Sequence, residues 1–361
     1  GGLGRDAFDV AEAMFRRIRG GLGIATVAAN AVFAATTGLS IASAAVFTRI
    51  AVPEMIRHGY QPRFAVGVVA GSSVLGMLIP PSLLFILYGI ITEQSIGALF
   101  MAGIIPGLLL SAVYCVYIFL RTTFYPGSVV AVTEEKALAA PPMPFGLAAY
   151  KLFPTALLVV IVLGGLYGGY FTPTESGGMG ALAALLIVLS RRAIDPNGYW
   201  RVLTETGHIT VTICILFVAA TVYSRMLAFS GLPDALAQWI AHQQLSFGMM
   251  ITLYVIVLLL LGTIIDAGSI MLITVPVMLP VLAQYNTDLI WFGVVTVLGT
   301  EIGLLTPPFG ISVFVVKSAL KDDVKISLNA IFAASFPFAC LMLLVLVLVI
   351  LFPGLALFFQ Q

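Results

Sequence analysis

The sequence predicts an all-α polytopic membrane protein made of two inverted repeats, each with a re-entrant helical hairpin and a broken helix. Three observations lead there. Hydrophobic residues make up 60% of the 361 positions and charged residues only 9%, against about 25% charged in soluble domains. The motif GMLIPP at 76–81 returns as GLLTPP at 303–308, 227 positions later. Two apolar stretches, 22–48 and 246–282, are interrupted mid-way by TTGLS at 36–40 and GTIIDAGS at 262–269.

The elements follow in order. Residues 5–19 mix charge with Phe8, Val10, Met14, Phe15 and Ile18, the pattern of an amphipathic helix lying in the interface. Gly, Thr and Ser in the middle of 22–48 mark a tight turn, so this stretch enters and leaves on one side. The span 64–91 contains Pro80-Pro81; two consecutive prolines remove two backbone donors and break a helix. An apolar run at 96–121 closes the first repeat, 1–121. The Pro-rich stretch 122–150, with Glu134, Glu135 and Lys136, reads as a linker. Runs of about 20 apolar residues can cross a bilayer, and they place spans at 151–171, 175–192 and 204–227. An arm at 229–244, a hairpin at 246–282, a broken span at 289–316 and a closing span at 327–352 complete the second repeat, 151–361. Thr172 and Glu175 have capping-box spacing. Trp200, Trp239 and Trp291 lie near span ends and are expected as interface anchors.

The repeat extends beyond the prolines. Pro53 and Pro280, and Thr36 and Thr263, share the offset of 227. The second copy has apolar segments before its arm and the first has none, so further N-terminal spans are expected upstream of Gly1. Of the 17 Lys and Arg, all but Arg225 fall on one side of the proposed spans, which makes that side cytoplasmic. Five crossings, an odd number, separate the hairpins. The second repeat is therefore inverted: the hairpin at 22–48 opens to the cytoplasm and the one at 246–282 to the outside.

Composition also excludes. A net charge of +1 argues against nucleic-acid binding. There is no Gly-Lys-Ser/Thr phosphate loop and no nucleophile–base pattern, so an enzyme is not expected and no catalytic residues are assigned. Cys115, Cys214 and Cys340 are far apart and read as packing residues; His58, His208 and His242 lack metal-ligand spacing.

A broken helix exposes carbonyls at the end of one half and N–H groups at the start of the other. The first tip adds the hydroxyls of Thr36, Thr37, Ser40 and Ser43; the second adds Thr263, Ser269 and the carboxylate of Asp266. Such hard oxygens suit Na⁺ better than a transition metal. If each tip meets the break of its own repeat, two pseudo-symmetric cation sites result, with an anionic substrate between them near the midplane. Asp266 has a second reading as a helix N-cap. Glu301, one turn before the second break, is expected to face the site, pair with a cation or hydrogen-bond to its surroundings.

Five stretches resemble the large membrane subunit of the tripartite ATP-independent periplasmic (TRAP) transporters: TTGLS at 36–40, SSVLGMLIPPS at 72–82, LYGGYFTPTE at 166–175, LGTIID at 261–266 and EIGLLTPPFG at 301–310. The resemblance implies an elevator-type fold of the ion transporter superfamily in the bacterial inner membrane. It implies Na⁺-driven import of a small organic acid, delivered by a periplasmic substrate-binding protein, and a small four-helix membrane subunit as partner. It places the first cation site at Thr37, Gly38 and Ser40 with Gly76 and Pro80. The second would comprise Thr263, Asp266, Gly268, Gly303, Thr306 and Pro307, and Ser43, Ser82, Ser269 and Glu301 would meet substrate. Two departures stand out. Leu39 and Ser43 replace the second serine and the acidic residue common in the first tip of relatives, and Gly310, Ile311 and Ser312 replace a Gly-Leu-Asn. Proton coupling through Asp266 and Glu301 is the alternative; a channel fits two inverted, broken repeats less well.

Overall fold

The computed structural model describes residues 1–129, 143–192, 194–320 and 324–360, and among them it is helical without a strand. The first arm is α1 (Leu3–Phe15). The first hairpin is α2 (Gly21–Thr37) and α3 (Ser40–Arg57); then come α4 (Pro62–Ser73), the single turn α5 (Leu75–Leu78), α6 (Leu83–Thr92) and the long α7 (Ile96–Phe124). Helix α8 (Phe145–Val159) runs through a π-turn at Val160–Gly164 into the short α9 (Gly165–Tyr167). Next are α10 (Pro173–Ser190), α11 (Pro196–Ser230) and the second arm α12 (Leu232–His242). The second hairpin is α13 (Phe247–Gly262) and α14 (Ala267–Gln284), followed by α15 (Leu289–Gly303), α16 (Ile311–Ala319), α17 (Leu328–Leu351) and α18 (Gly354–Leu357). Seven of these segments are long and apolar enough to cross a membrane. Residues 130–142 of the expected linker, Glu134, Glu135 and Lys136 among them, lie outside the described residues; α7 ends at Phe124 on one side and α8 begins at Phe145 on the other.

Local chemistry sets the ends. Ser95, Ser246 and Ser327 accept hydrogen bonds from the third backbone N–H beyond them, and Asp288 accepts from both Ile290 and Trp291. Each thereby satisfies a donor that the first turn leaves free. Thr172 and Glu175 form the full capping box.

The two repeats are interlaced. Helix α14 of the second hairpin packs on α6, and α16, beyond the second break, packs on α3 of the first hairpin. Helix α17 packs on α4, and glycine allows that crossing. A Cβ on Gly67 would sit 2.5 Å from the Ala334 carbonyl oxygen, and one on Gly71 2.3 Å from the Phe338 ring. Between helices in lipid, close approach of this kind yields the dispersion contacts that replace a hydrophobic driving force. Phe47, Phe85, Tyr88, Tyr114, Phe292 and Phe338 fill the interior. By contrast, none of the central window of α11 is buried within the chain, and little of α8–α9 or α10 is. These spans form an outer layer whose apolar faces are free to meet lipid or another subunit.

Two expectations need correction. Trp291 is no interface anchor: it is 2% exposed and its Nε1–H donates to the Val349 carbonyl at 2.9 Å. Trp200 and Trp239 are exposed. Of the three cysteines, Cys115 is half-buried but Cys214 and Cys340 point outward.

The arm α1 is tied to the outer layer by ion pairs. Arg191 donates to Asp6 at 2.6 Å and also to the Gly1 carbonyl, and Lys151 pairs with Asp9. On its other side Glu12 meets Glu54 and His58 of α3, with ligand atoms within 4.8 Å of one another. Burial, and then the neighbouring Glu54 charge, hold the Glu12 carboxyl above the usual carboxylate range. Sequence alone could pair Glu54 with His58 as i and i+4 neighbours, but the partner from α1 had no local signal.

Candidate functional site

Each hairpin tip lies against the break of its own repeat. At the first tip, Gly38 closes α2 with φ 61°, a conformation open to glycine, and its N–H donates to the Ala34 carbonyl. Its own carbonyl accepts from Leu83 N–H at 3.2 Å, directly beyond Pro80-Pro81. There is no spare room: a Cβ on Gly38 would lie 2.7 Å from the Pro81 oxygen, and one on Gly76 2.8 Å from the Leu39 oxygen. At the second tip, the Thr263 carbonyl accepts from Phe309 N–H at 3.1 Å, beyond Pro307-Pro308. Gly262 and Gly303 approach so closely that a Cβ on either would meet the other's Cα at 2.6 or 2.5 Å. Both Pro-Pro bonds are cis.

Three of the threonine hydroxyls expected as cation ligands donate to backbone carbonyls one turn earlier, and Ser40 donates to Glu301. Thr37 donates to the Phe33 carbonyl at 3.1 Å, Thr263 to Leu260 at 2.8 Å and Thr306 to Gly303 at 2.8 Å. A hydroxyl that has donated its proton into its own helix keeps its lone pairs for a cation. The helix ends at Thr37, Leu78 and Gly262 add terminal carbonyls without intrahelical partners, while the Gly303 carbonyl is taken up by the N–H and hydroxyl of Thr306. The donor set of each tip-and-break pair, hydroxyl and carbonyl oxygen, fits Na⁺.

Asp266 is an N-cap. Its Oδ1 accepts from Ser269 N–H at 3.0 Å and its Oδ2 from the Ser269 hydroxyl at 2.5 Å. Leu39, at the offset of 227, holds the matching position before α3 with no side-chain cap. The two tips thus share a backbone plan, and only the second carries charge.

Between the tips lies a cavity of about 140 Å³. Its lining includes the first residues of four helices: Ser40 and Ile41 of α3, Leu83 and Leu84 of α6, Ala267 and Gly268 of α14, and Ile311 of α16. Each helix start presents the positive end of a peptide dipole, although the Leu83 N–H already donates to Gly38 and the Phe85 and Ser269 N–H groups to their caps. Among the described residues no Lys or Arg lines the cavity, and the one carboxylate that does is Asp266. Ile213, Leu216 and Phe217 of α11 close the side toward the outer layer. The four helix starts bring positive dipole ends and Asp266 brings a carboxylate, so the lining carries both signs of charge.

Of the residues expected to meet substrate, Ser43, Ser82, Ser269 and Glu301, none is in the lining of this cavity. Ser82 caps α6 and donates to the Met77 carbonyl at 2.5 Å. Glu301 is fully buried; its Oε1 accepts from Ser40 at 3.2 Å across the repeat boundary. Sequence reasoning missed the α11 trio Ile213, Leu216 and Phe217, which reads as ordinary span.

Residues 1–355 match the family described as "Tripartite ATP-independent periplasmic transporter, DctM component". The chain belongs to this TRAP large-subunit family. It is 34% identical to the C4-dicarboxylate TRAP transporter large permease protein of Pseudomonas aeruginosa, covering 99% of this chain and 81% of that one. It is 30% identical to the sialic acid TRAP transporter large permease of Vibrio cholerae, covering 98% and 80%. In fold it is similar to the YdaH transporter of Alcanivorax borkumensis, with a TM-score of 0.60 and 15% sequence identity over 98% of this chain and 83% of the other. As a TRAP large subunit the chain is a multi-pass membrane transporter component and not an enzyme.

Proposed function

We propose that the chain carries a small organic anion, of carboxylate type, through the bacterial inner membrane by Na⁺-coupled secondary transport. The convergence of four helix starts on one cavity carries this reading, because peptide dipoles and free N–H groups select for negative charge where no basic side chain stands. The names of relatives that handle C4-dicarboxylates and sialic acid support the substrate class. A Na⁺ bound at the second tip neutralises Asp266, and the anion then enters a cavity whose field is wholly attractive; each ligand raises the affinity for the other by the same factor. Thr37, Gly38, Ser40, Gly76 and Pro80 frame the first Na⁺ site. Thr263, Asp266, Gly268, Gly303, Thr306 and Pro307 frame the second. The hairpins and broken helices move together past the outer layer as an elevator, with the apolar side chains of α11 as the wall they slide on. A periplasmic binding protein delivers substrate, and a small four-helix membrane subunit braces the outer layer. The relative named as an isethionate TRAP permease DctMQ, of which this chain covers 55%, supports such a second membrane component.

Uptake of C4-dicarboxylates into proteoliposomes containing the complete complex tests the reading. A Na⁺ gradient drives accumulation, and a pH gradient alone does not. Uptake that follows the pH gradient and ignores Na⁺ replaces Na⁺ coupling with proton coupling through Asp266.

A further inference from the structure

Glu301 is left over from this scheme. It lies in the last turn of α15, is 0% exposed and lines no part of the substrate cavity. Among the described residues it forms no salt bridge. One oxygen accepts from Ser40; the other, Oε2, has no partner. An ionised carboxylate held so deep in the bilayer is costly unless something compensates its charge.

Two more buried oxygens, on the helices that begin at the first tip and beyond the second break, share the defect. The hydroxyls of Ser43 and Ser312 are 0% exposed and unpartnered. Ser43 lies one turn along α3 from Ser40, on the same face. Ser312 is in the first turn of α16, which packs on α3 and starts just after the break that ends α15. A carboxylate and three hydroxyls therefore come from the start of one hairpin helix and from both sides of the opposite repeat's break.

We propose that Glu301, Ser40, Ser43 and Ser312 hold a third Na⁺, centred on the buried Glu301 carboxylate and adjoining the first tip site through Ser40. The chemistry favours a metal cation over a proton. A proton on Oε2 would neutralise the carboxyl, but its single O–H reaches one acceptor at most, so at least one of the two serine oxygens would stay idle. A Na⁺ neutralises the carboxylate and takes the idle oxygens as ligands, the hard all-oxygen set that such an ion accepts. Because Ser40 also lines the substrate cavity, the site is linked to substrate through a single side chain. The inference rests on the Na⁺-coupled reading above.

Equilibrium binding of radioactive sodium to the purified complex tests it, with wild type, Glu301→Gln and Asp266→Asn compared. Glu301→Gln is expected to bind one Na⁺ fewer per chain and to keep the Na⁺ that Asp266→Asn loses. Should the Gln variant fail to fold, Ser43→Ala and Ser312→Ala each weaken one Na⁺ about tenfold, roughly the loss of one ligand interaction. Unchanged Na⁺ number and affinity in Glu301→Gln overturns the third site, even where Na⁺-driven uptake by wild type upholds the coupling. Absence of Na⁺ binding in wild type overturns both.

Discussion

Gly76→Ala adds one methyl group at the contact between the first tip and the first break. The new Cβ would stand 2.8 Å from the Leu39 oxygen, 2.9 Å from the Leu39 carbonyl carbon and 3.1 Å from Ser40 N. All three are backbone atoms, so no side-chain rotation relieves the contact. Ordinary van der Waals separation begins near 3.4 Å, so tip and break must part by about 0.6 Å, just beyond the roughly 0.5 Å tolerance of a preorganised site. Overpacking of this size costs about 1–3 kcal/mol, and if it falls on the ion-bound state it weakens Na⁺ about 10- to 100-fold. The assay is the Na⁺ concentration giving half-maximal uptake in proteoliposomes. Gly177→Ala and Gly248→Ala, where a Cβ meets nothing within 4 Å, serve as controls and should match wild type. A Gly76→Ala protein with wild-type Na⁺ dependence would refute the assignment of this contact to a cation site.

Other outcomes are as specific. Asp266→Ala removes an N-cap, costing about 1 kcal/mol of stability, and should also weaken Na⁺-dependent uptake; Asp266→Asn keeps the cap, so uptake lost in both variants with stability retained in Asn separates charge from capping. Leu216→Trp fills part of the 140 Å³ cavity and should abolish substrate binding in a filter assay while leaving Na⁺ binding intact. Glu12, held above the ordinary carboxylate range mainly by burial, binds its proton more tightly folded than unfolded. Its contribution is therefore full in acid and lost as pH rises through the raised value. Glu12→Gln should raise the melting temperature at pH 8 and flatten its decline between mild acid and that pH. Equal melting curves at both pH values would refute the arm contact as its cause.

Much of the backbone plan was legible because it is written in residues that act locally. Pro80-Pro81 and Pro307-Pro308 break helices whatever surrounds them, and the turns at Gly38 and Thr263 fall inside the expected interruptions. Partnership across the fold was not legible. Ser40 and Glu301 are 261 residues apart, and no periodicity links them. The fate of Trp291 was hidden for a different reason: a span facing lipid and one facing protein are equally apolar, so a tryptophan at a helix end gives no sign of whether Val349 or a headgroup awaits it. The cavity was hidden too, since its attractive groups are helix starts brought together from both repeats, and its α11 wall is made of residues typical of any span.

Those four helix starts have an evolutionary consequence. A binding site whose charge comes from arginine can lose it by one base change, whereas a peptide dipole survives every substitution that leaves the helix standing. If this chain carries an anion as proposed above, its preference for the sign of the cargo would be held by the backbone, and side chains such as Ile41, Leu84 and Leu272 could change the size and shape of the cavity without altering that preference.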